Sequence, residues 1–67
     1  SFPVIASVLR RIYYTYFRAL DIRTKAYGPN HHDVGQTLLS YSSFLLNLDA
    51  IKSAETAIRA AEILEVN

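Results

Sequence analysis

Apolar side chains recur at three- and four-residue intervals through the first part of the chain, which is the period of an amphipathic helix. The positions that keep this spacing are either Val4 or Ile5, followed by Val8, Leu9, Ile12, Tyr16, Ala19 and Leu20. They predict a first helix over about residues 3–27. Gly28 is expected to end it in the left-handed conformation, and Pro29 prevents its continuation.

Two shorter helices are predicted over about residues 33–47 and 50–65. The 67-residue chain is therefore expected to be all-α, a single unit of residues 1–67 in which a long helix precedes a helix-turn-helix hairpin. So small a unit buries only about 60% of the surface of its unfolded chain. A hydrophobic fraction of 51%, with two glycines and two prolines, nevertheless favours an ordered chain over a disordered one.

Short polar side chains stand where the second and third helices should begin and end. Either Asn30 or His31 can cap the second helix, and Asp33 in its first turn meets the positive end of the helix dipole. Asn47 is predicted to end this helix in the left-handed conformation. Asp49 is predicted to cap the third helix.

One apolar stripe on each of these two helices is predicted to hold the hairpin together. The stripe of the second helix consists of Val34, Leu38, Tyr41, Ser42 and Leu45. That of the third consists of Ala50, Ile51, Ala54, Ala57, Ile58, Ala61 and Leu64. The small residues Ser42, Ala54 and Ala61 are expected to let the two backbones approach.

Part of the chain is repeated. Residues Ile12, Tyr16 and Ala19 recur as Ala54, Ile58 and Ala61, an offset of 42 positions (54 − 12). A competing alignment pairs residues 18–22 with residues 59–63 at an offset of 41 (59 − 18) and has more literal identity. Both alignments stay open, and either indicates stacked units.

The spacing of large and small residues from Leu38 to Ala61 resembles a tetratricopeptide repeat, and the segment before it resembles the kinesin-light-chain type of that repeat. The residues that match this type are Ala19, Leu20, Ile22, Arg23, Lys25, Gly28, His31, Asp33, Val34, Thr37 and Leu38. The resemblance covers about one and a half repeats, from Tyr16 to Ala61. It implies a fragment of an α-solenoid, a right-handed superhelix of paired helices that binds peptides or protein surfaces without catalysis.

In the repeat family the exposed side of the second helix lines the groove that holds a partner. The resemblance therefore implies a contact strip for a protein or peptide, which consists of Gln36, Leu39, Ser43, Leu46 and Asn47. The family's asparagine pair is replaced here by Leu39 and Ser40, and its usual proline before Asp33 by His32. Packing of the strip on another helix or on a second copy is the alternative.

Basic side chains recur every seven residues along the first helix. We call Arg11, Tyr14, Arg18 and Lys25 the basic face, because cations interleaved with an aromatic ring can bind nucleic acid. A nucleic-acid-binding module is thus the alternative function, and a solvated helix surface the plainer interpretation. Residues 1–27 carry five basic side chains against one acid, and residues 28–67 two against five. This asymmetry also favours head-to-tail stacking of units.

Few residues point to chemistry. The pair His31 and His32 lacks the further ligands that a zinc site needs, so we expect neither a metal nor another cofactor. No nucleophile, base and orienting group can be assembled, and we expect no enzymatic activity. The chain has no cysteine, which permits a reducing compartment, and we expect a cytoplasmic location.

The expected partners are proteins. Repeat units do not bury their apolar sides alone, so flanking repeats of a larger protein or further copies of this chain are expected to cover them. The apolar runs are too short for a bilayer span, and no membrane association is expected. The chain begins with Ser1 and shows no signal-peptide pattern, which suggests a piece of something longer.

Overall fold

The computed structural model describes residues 2–66, and of Phe2 and Val66 it describes the backbone alone. Three helices make up the fold: α1, Phe2–Tyr27; α2, His32–Leu45; and α3, Ala50–Val66. The predicted all-α class, a long helix followed by a hairpin, is confirmed.

The connection between α1 and α2 is set by local hydrogen bonds. Gly28 has φ 92° and its N–H donates to Thr24 O at 2.8 Å, which confirms the predicted left-handed end of α1. Of the two candidate caps, His31 caps α2, since its Nδ1 accepts from the Asp33 N–H at 3.0 Å. Asn30 instead accepts from Arg59 Nη2 of α3 at 2.7 Å, which ties this connection to the far helix.

The connection between α2 and α3 is a tight right-handed turn. Asp49 Oδ1 accepts from the Lys52 N–H at 3.0 Å, so the predicted cap of α3 is confirmed. The predicted left-handed end at Asn47 is wrong: α2 ends at Leu45, and no residue of 2–66 other than glycine has a positive φ. The turn closes because Leu45 O accepts from the N–H groups of Leu48 and Asp49, at 2.9 and 2.8 Å.

The three helices form a single flat layer with α2 in the middle. Its principal extents are 43 × 24 × 11 Å, and the smallest is about the diameter of one helix. The helix α2 packs against both α1 and α3. A layer of this kind has little interior, so Leu45 and Ile63, 0% and 1% exposed, are the largest completely buried side chains among the described residues.

The buried side of α3 differs from the prediction. Ile51 and Ile58 are 75% and 60% exposed, and Ala50 and Ala54 are exposed as well. The side that meets α2 is made by Ser53, Ala60 and Ile63, and of the predicted stripe Leu64 also lies against α2, at Gly35. This side packs on α2 because its residues in the middle of the contact are small. The Ser53 hydroxyl donates to Ser42 O at 2.8 Å, and this bond requires the two backbones to lie close together.

Candidate protein-interaction surface

An aromatic cluster joins α1 to α2. Its members are Tyr13, Tyr16 and Phe17 of α1 and Tyr41 and Phe44 of α2. The ring centroids of Tyr13 and Phe44 are 5.2 Å apart in an edge-to-face arrangement, and those of Tyr16 and Tyr41 are also 5.2 Å apart. Aromatic pairs in such geometries stabilise a contact by about 0.5–1.5 kcal/mol beyond the burial of their area. The cluster therefore fixes how α2 is presented beside α1.

Tyr41 is the most deeply buried member of the cluster. It is 3% exposed, and its hydroxyl is buried without a hydrogen-bond partner. Burial raises the pKa of this phenol, and the nearby Tyr13 and Asp49 raise it further. The ring thus supplies apolar contact, while its unpaired hydroxyl group is expected to lower the stability of the fold.

Beside the cluster, an open polar groove runs between α1 and α2. It has a volume of about 590 Å³ and is lined by Thr15, Tyr16, Ala19, Arg23, Asp33, Gln36, Thr37 and Ser40. Arg23 Nη1 donates to the Thr37 hydroxyl, which in turn donates to Asp33 O at 2.8 Å. The groove can therefore offer both donors and acceptors to a polar ligand.

The contact strip lies on the exposed side of α2 and in the turn that follows this helix. All five of its members are exposed, and Leu39 and Leu46 remain 44% and 62% exposed. Gln36, Leu39 and Ser43 lie on α2 itself, whereas Leu46 and Asn47 follow it in the turn that leads to α3. Gln36 is also the member that lines the polar groove. The strip thus combines three polar side chains with two exposed leucines.

The basic face is only partly available for a ligand. Lys25 Nζ forms an ion pair with Asp21 Oδ2 at 3.0 Å, and Arg18 Nη1 donates to the Tyr14 hydroxyl at 3.4 Å. Tyr14 is 63% exposed. Arg11 is exposed and belongs to no ion pair within the described part of the chain.

Sequence reasoning missed two residues that position the strip. A Cβ atom on Gly35 would lie 2.8 Å from Leu64 Cδ2 and 3.0 Å from Ile63 Cγ2, so only glycine lets α3 approach α2 here without displacing them. Ser53 is buried and makes the hydrogen bond to Ser42 O. A glycine inside a helical pattern was a readable signal for the first, whereas a lone serine carried none.

Across residues 2–66 no three histidine, cysteine or acidic side chains are grouped so that they could hold a metal ion. Among the same residues, no helix combines the length and the apolar character that crossing a bilayer requires.

Comparison with known proteins adds no assignment. No family model matches the chain, and neither a curated protein nor a solved structure matches it.

Proposed function

We propose that the chain is a non-catalytic protein-interaction module of the tetratricopeptide kind, which binds a peptide or a protein surface through its contact strip. The observation that carries this proposal is the exposure of Leu39 on α2 and of Leu46 directly after the end of α2. Burial of either leucine against a partner would stabilise the complex, because burial of apolar surface contributes about 25 cal/mol per Å². Leu39 and Leu46 are seven positions apart, and this pair favours a partner with matching apolar side chains.

The polar members of the strip support a peptide as the partner. The amides of Gln36 and Asn47 can each donate and accept, as can the hydroxyl of Ser43. An extended peptide backbone presents the same two kinds of group, and it could continue past Gln36 into the polar groove, where Arg23 lies. Because the chain has no cysteine, such a module suits the cytoplasm, where we propose that it acts.

Selection from a library of random peptides tests this proposal. The 67-residue chain is immobilised, enriched peptides are synthesised, and their affinities are measured by fluorescence anisotropy. We expect Leu39→Ser/Leu46→Ser to weaken binding at least about 10-fold, since each leucine contributes about 1 kcal/mol or more when buried. The matched control is Ile58→Ser, which removes an exposed apolar side chain from α3 and should leave the affinity unchanged. Failure to enrich any peptide, or equal binding by both variants, would contradict the proposal.

Nucleic-acid binding through the basic face is a second candidate, and the observation in its favour is the exposure of Arg11 beside Tyr14. The ion pair of Lys25 with Asp21 weakens it. Labelled single-stranded RNA of mixed sequence is the probe. Binding that falls steeply with salt and is lost in Arg11→Gln/Arg18→Gln, but not in Lys52→Gln, would support this function. Absence of binding at low salt would remove it.

A further inference from the structure

The outward side of α1, opposite the aromatic cluster, combines apolar and basic side chains. We call Val8, Arg11, Arg18 and Ile22 the α1 outer face; all four are exposed, and Val8 and Ile22 are 48% and 55% exposed. Positions seven residues apart lie on the same side of a helix, two turns and about 10.5 Å from each other. The two arginines have this spacing.

The outward side of α3, opposite Ser53 and Ala60, combines apolar and acidic side chains. We call Ile51, Glu55, Ile58 and Glu62 the α3 outer face, and all four are exposed. Its isoleucines are seven residues apart, and so are its glutamates. The α3 outer face therefore repeats along its helix with the period of the arginines on α1.

The two outer faces are complementary to each other and not to themselves. The helix α1 carries five basic side chains and one acidic, a net charge of +4, whereas α3 carries two basic and three acidic, a net charge of −1. Packing α3 on a second α3 would bring the glutamates together, and packing α1 on a second α1 would bring the arginines together. Like charges at an interface are unfavourable, so each face prefers the other.

The ion pairs within the chain leave these charges available. Glu55 takes part in no ion pair among residues 2–66, and the same holds for Arg11. Glu62 Oε2 lies 3.5 Å from Arg59 Nη1 on the surface, and the side chains of Arg59 and Glu62 are 42% and 60% exposed. A surface pair of this kind is worth about 0–1 kcal/mol and gives way readily to a better one.

We propose that second copies of this chain stack head to tail, with the α3 outer face of one copy on the α1 outer face of the next. Burial of Ile51 and Ile58 supplies the affinity, and the pairing of glutamates with arginines selects the orientation. Because the contact joins two different faces, each added copy leaves one of each face open, and the assembly grows beyond a dimer. The contact strip of α2 lies on neither face, so this inference stands independently of the proposed function.

Two variants, each blocked on one face, test the stacking. Arg11→Glu/Arg18→Glu makes the α1 outer face repel the glutamates of the next copy. Ile51→Ser/Ile58→Ser removes the apolar part of the α3 outer face. Solution mass is measured by light scattering on a sizing column over a range of concentrations, with helicity followed by circular dichroism.

We expect the unaltered chain to exceed two copies as concentration rises, and each blocked variant alone to remain at the mass of one chain, 7.6 kDa. Either block should lower the association constant at least about 30-fold, the loss typical of a central interface residue. An equimolar mixture of the two variants should form a one-to-one dimer and stop there, because it retains a single matched pair of faces. The mixture is informative even if a variant alone is unfolded, since pairing then restores helicity together with mass.

Three results would overturn the proposal: an unaltered chain that stays at one copy at every concentration, a variant with a blocked α1 face that still forms dimers alone, or a mixture that does not associate. A charge exchange gives an independent measurement. Adding Glu55→Arg/Glu62→Arg to the variant with the reversed α1 charges should restore growth beyond a dimer, and no recovery would count against the proposed pairing. Leu39→Ser/Leu46→Ser should stack as the unaltered chain does.

Discussion

The helix α2 makes two contacts that are built on opposite principles. Against α1 it presents large rings, whose centroids stay 5.2–6.1 Å apart where they meet Tyr13. Against α3 it presents Gly35 and Ser42, and the backbones lie close enough for Ser53 to donate to Ser42 O. In the second contact the buried Ser53 hydroxyl is hydrogen-bonded. In the first, the buried Thr37 hydroxyl is bonded to Arg23 and to Asp33 O, whereas the buried Tyr41 hydroxyl has no partner. We conclude that the α2–α3 contact combines a close fit of small groups with the complete burial of Ile63, whereas the α1–α2 contact is made mainly by aromatic rings that do not bring the backbones close together.

The largest effect we expect concerns the side of α3 that packs on α2. Ile63→Ala should lower the free energy of unfolding by about 3 kcal/mol, because it removes a completely buried side chain. The matched control Ile58→Ala, on the outward side of the same helix, should change it by less than about 0.5 kcal/mol. Urea unfolding at a concentration where the chain is monomeric measures both. Equal losses would mean that α3 does not pack with the side that the structure shows.

The next largest effect distinguishes the two roles of glycine in this chain: close approach of helices at Gly35 and positive φ at Gly28. Gly35→Val should cost about 2 kcal/mol, because the added atoms must displace Leu64 and Ile63. Gly28→Ala, where a Cβ would meet nothing within 4 Å, should cost about 1 kcal/mol from the positive φ alone. Thermal unfolding of the two variants provides the comparison. If Gly35→Val were the milder change, the close α2–α3 contact would be refuted.

Loss of one hydroxyl group should have opposite signs in the two contacts. Tyr41→Phe is expected to raise the free energy of unfolding by about 1 kcal/mol, since it removes a buried group that has no hydrogen-bond partner. Ser53→Ala should lower it by about 1 kcal/mol, because the bond to Ser42 O is lost. Denaturant titrations of both variants decide the matter. A loss of stability in Tyr41→Phe would show that its hydroxyl has a partner in solution.

The smallest effect we expect is a loss of stability at alkaline pH that comes from Tyr41. Because burial raises the pKa of Tyr41, the folded chain holds the phenol proton more tightly than the unfolded chain does. This contribution to stability is constant below the ordinary pKa of a phenol, about 10, and is lost as the pH rises above that value. Unfolding measured across this range should show a steeper loss for the unaltered chain than for Tyr41→Phe, which keeps the other four of the five tyrosines. Parallel profiles would contradict the expectation.

The sequence by itself determined the three helices and most of their ends. These features depend on neighbours within a few residues: Gly28 takes a positive φ because it lacks a Cβ, and His31 and Asp49 cap helices with side chains that reach only the next turn. Two ends were not determined in this way: the sequence left Asn30 and His31 as alternative caps of α2, and Asn47 was a reasonable local candidate for a left-handed end. Asn47 does not take the left-handed conformation, because the right-handed turn already lets the N–H groups of Leu48 and Asp49 donate to Leu45 O.

The exposed position of the candidate site was also readable. The helical period alone separates Leu39 and Leu46 from the buried Tyr41 and Leu45, so an amphipathic reading of α2 puts the contact strip outside. The polar groove beside it was not readable, because it joins Arg23 to Thr37 across two helices. Its existence depends on how far the aromatic cluster holds α1 from α2.

Only the tertiary structure decided which side of α3 is buried. The helix carries two stripes of comparable apolar character, one with Ile51 and Ile58 and the other with Ala60 and Ile63, and its own period cannot rank them. The choice was made by α2, where Gly35 leaves room for Ile63 and Leu64 and where Ser42 O meets the Ser53 hydroxyl. Hydrophobicity favours burial of either stripe, whereas the close fit of small groups across two helices accommodates one.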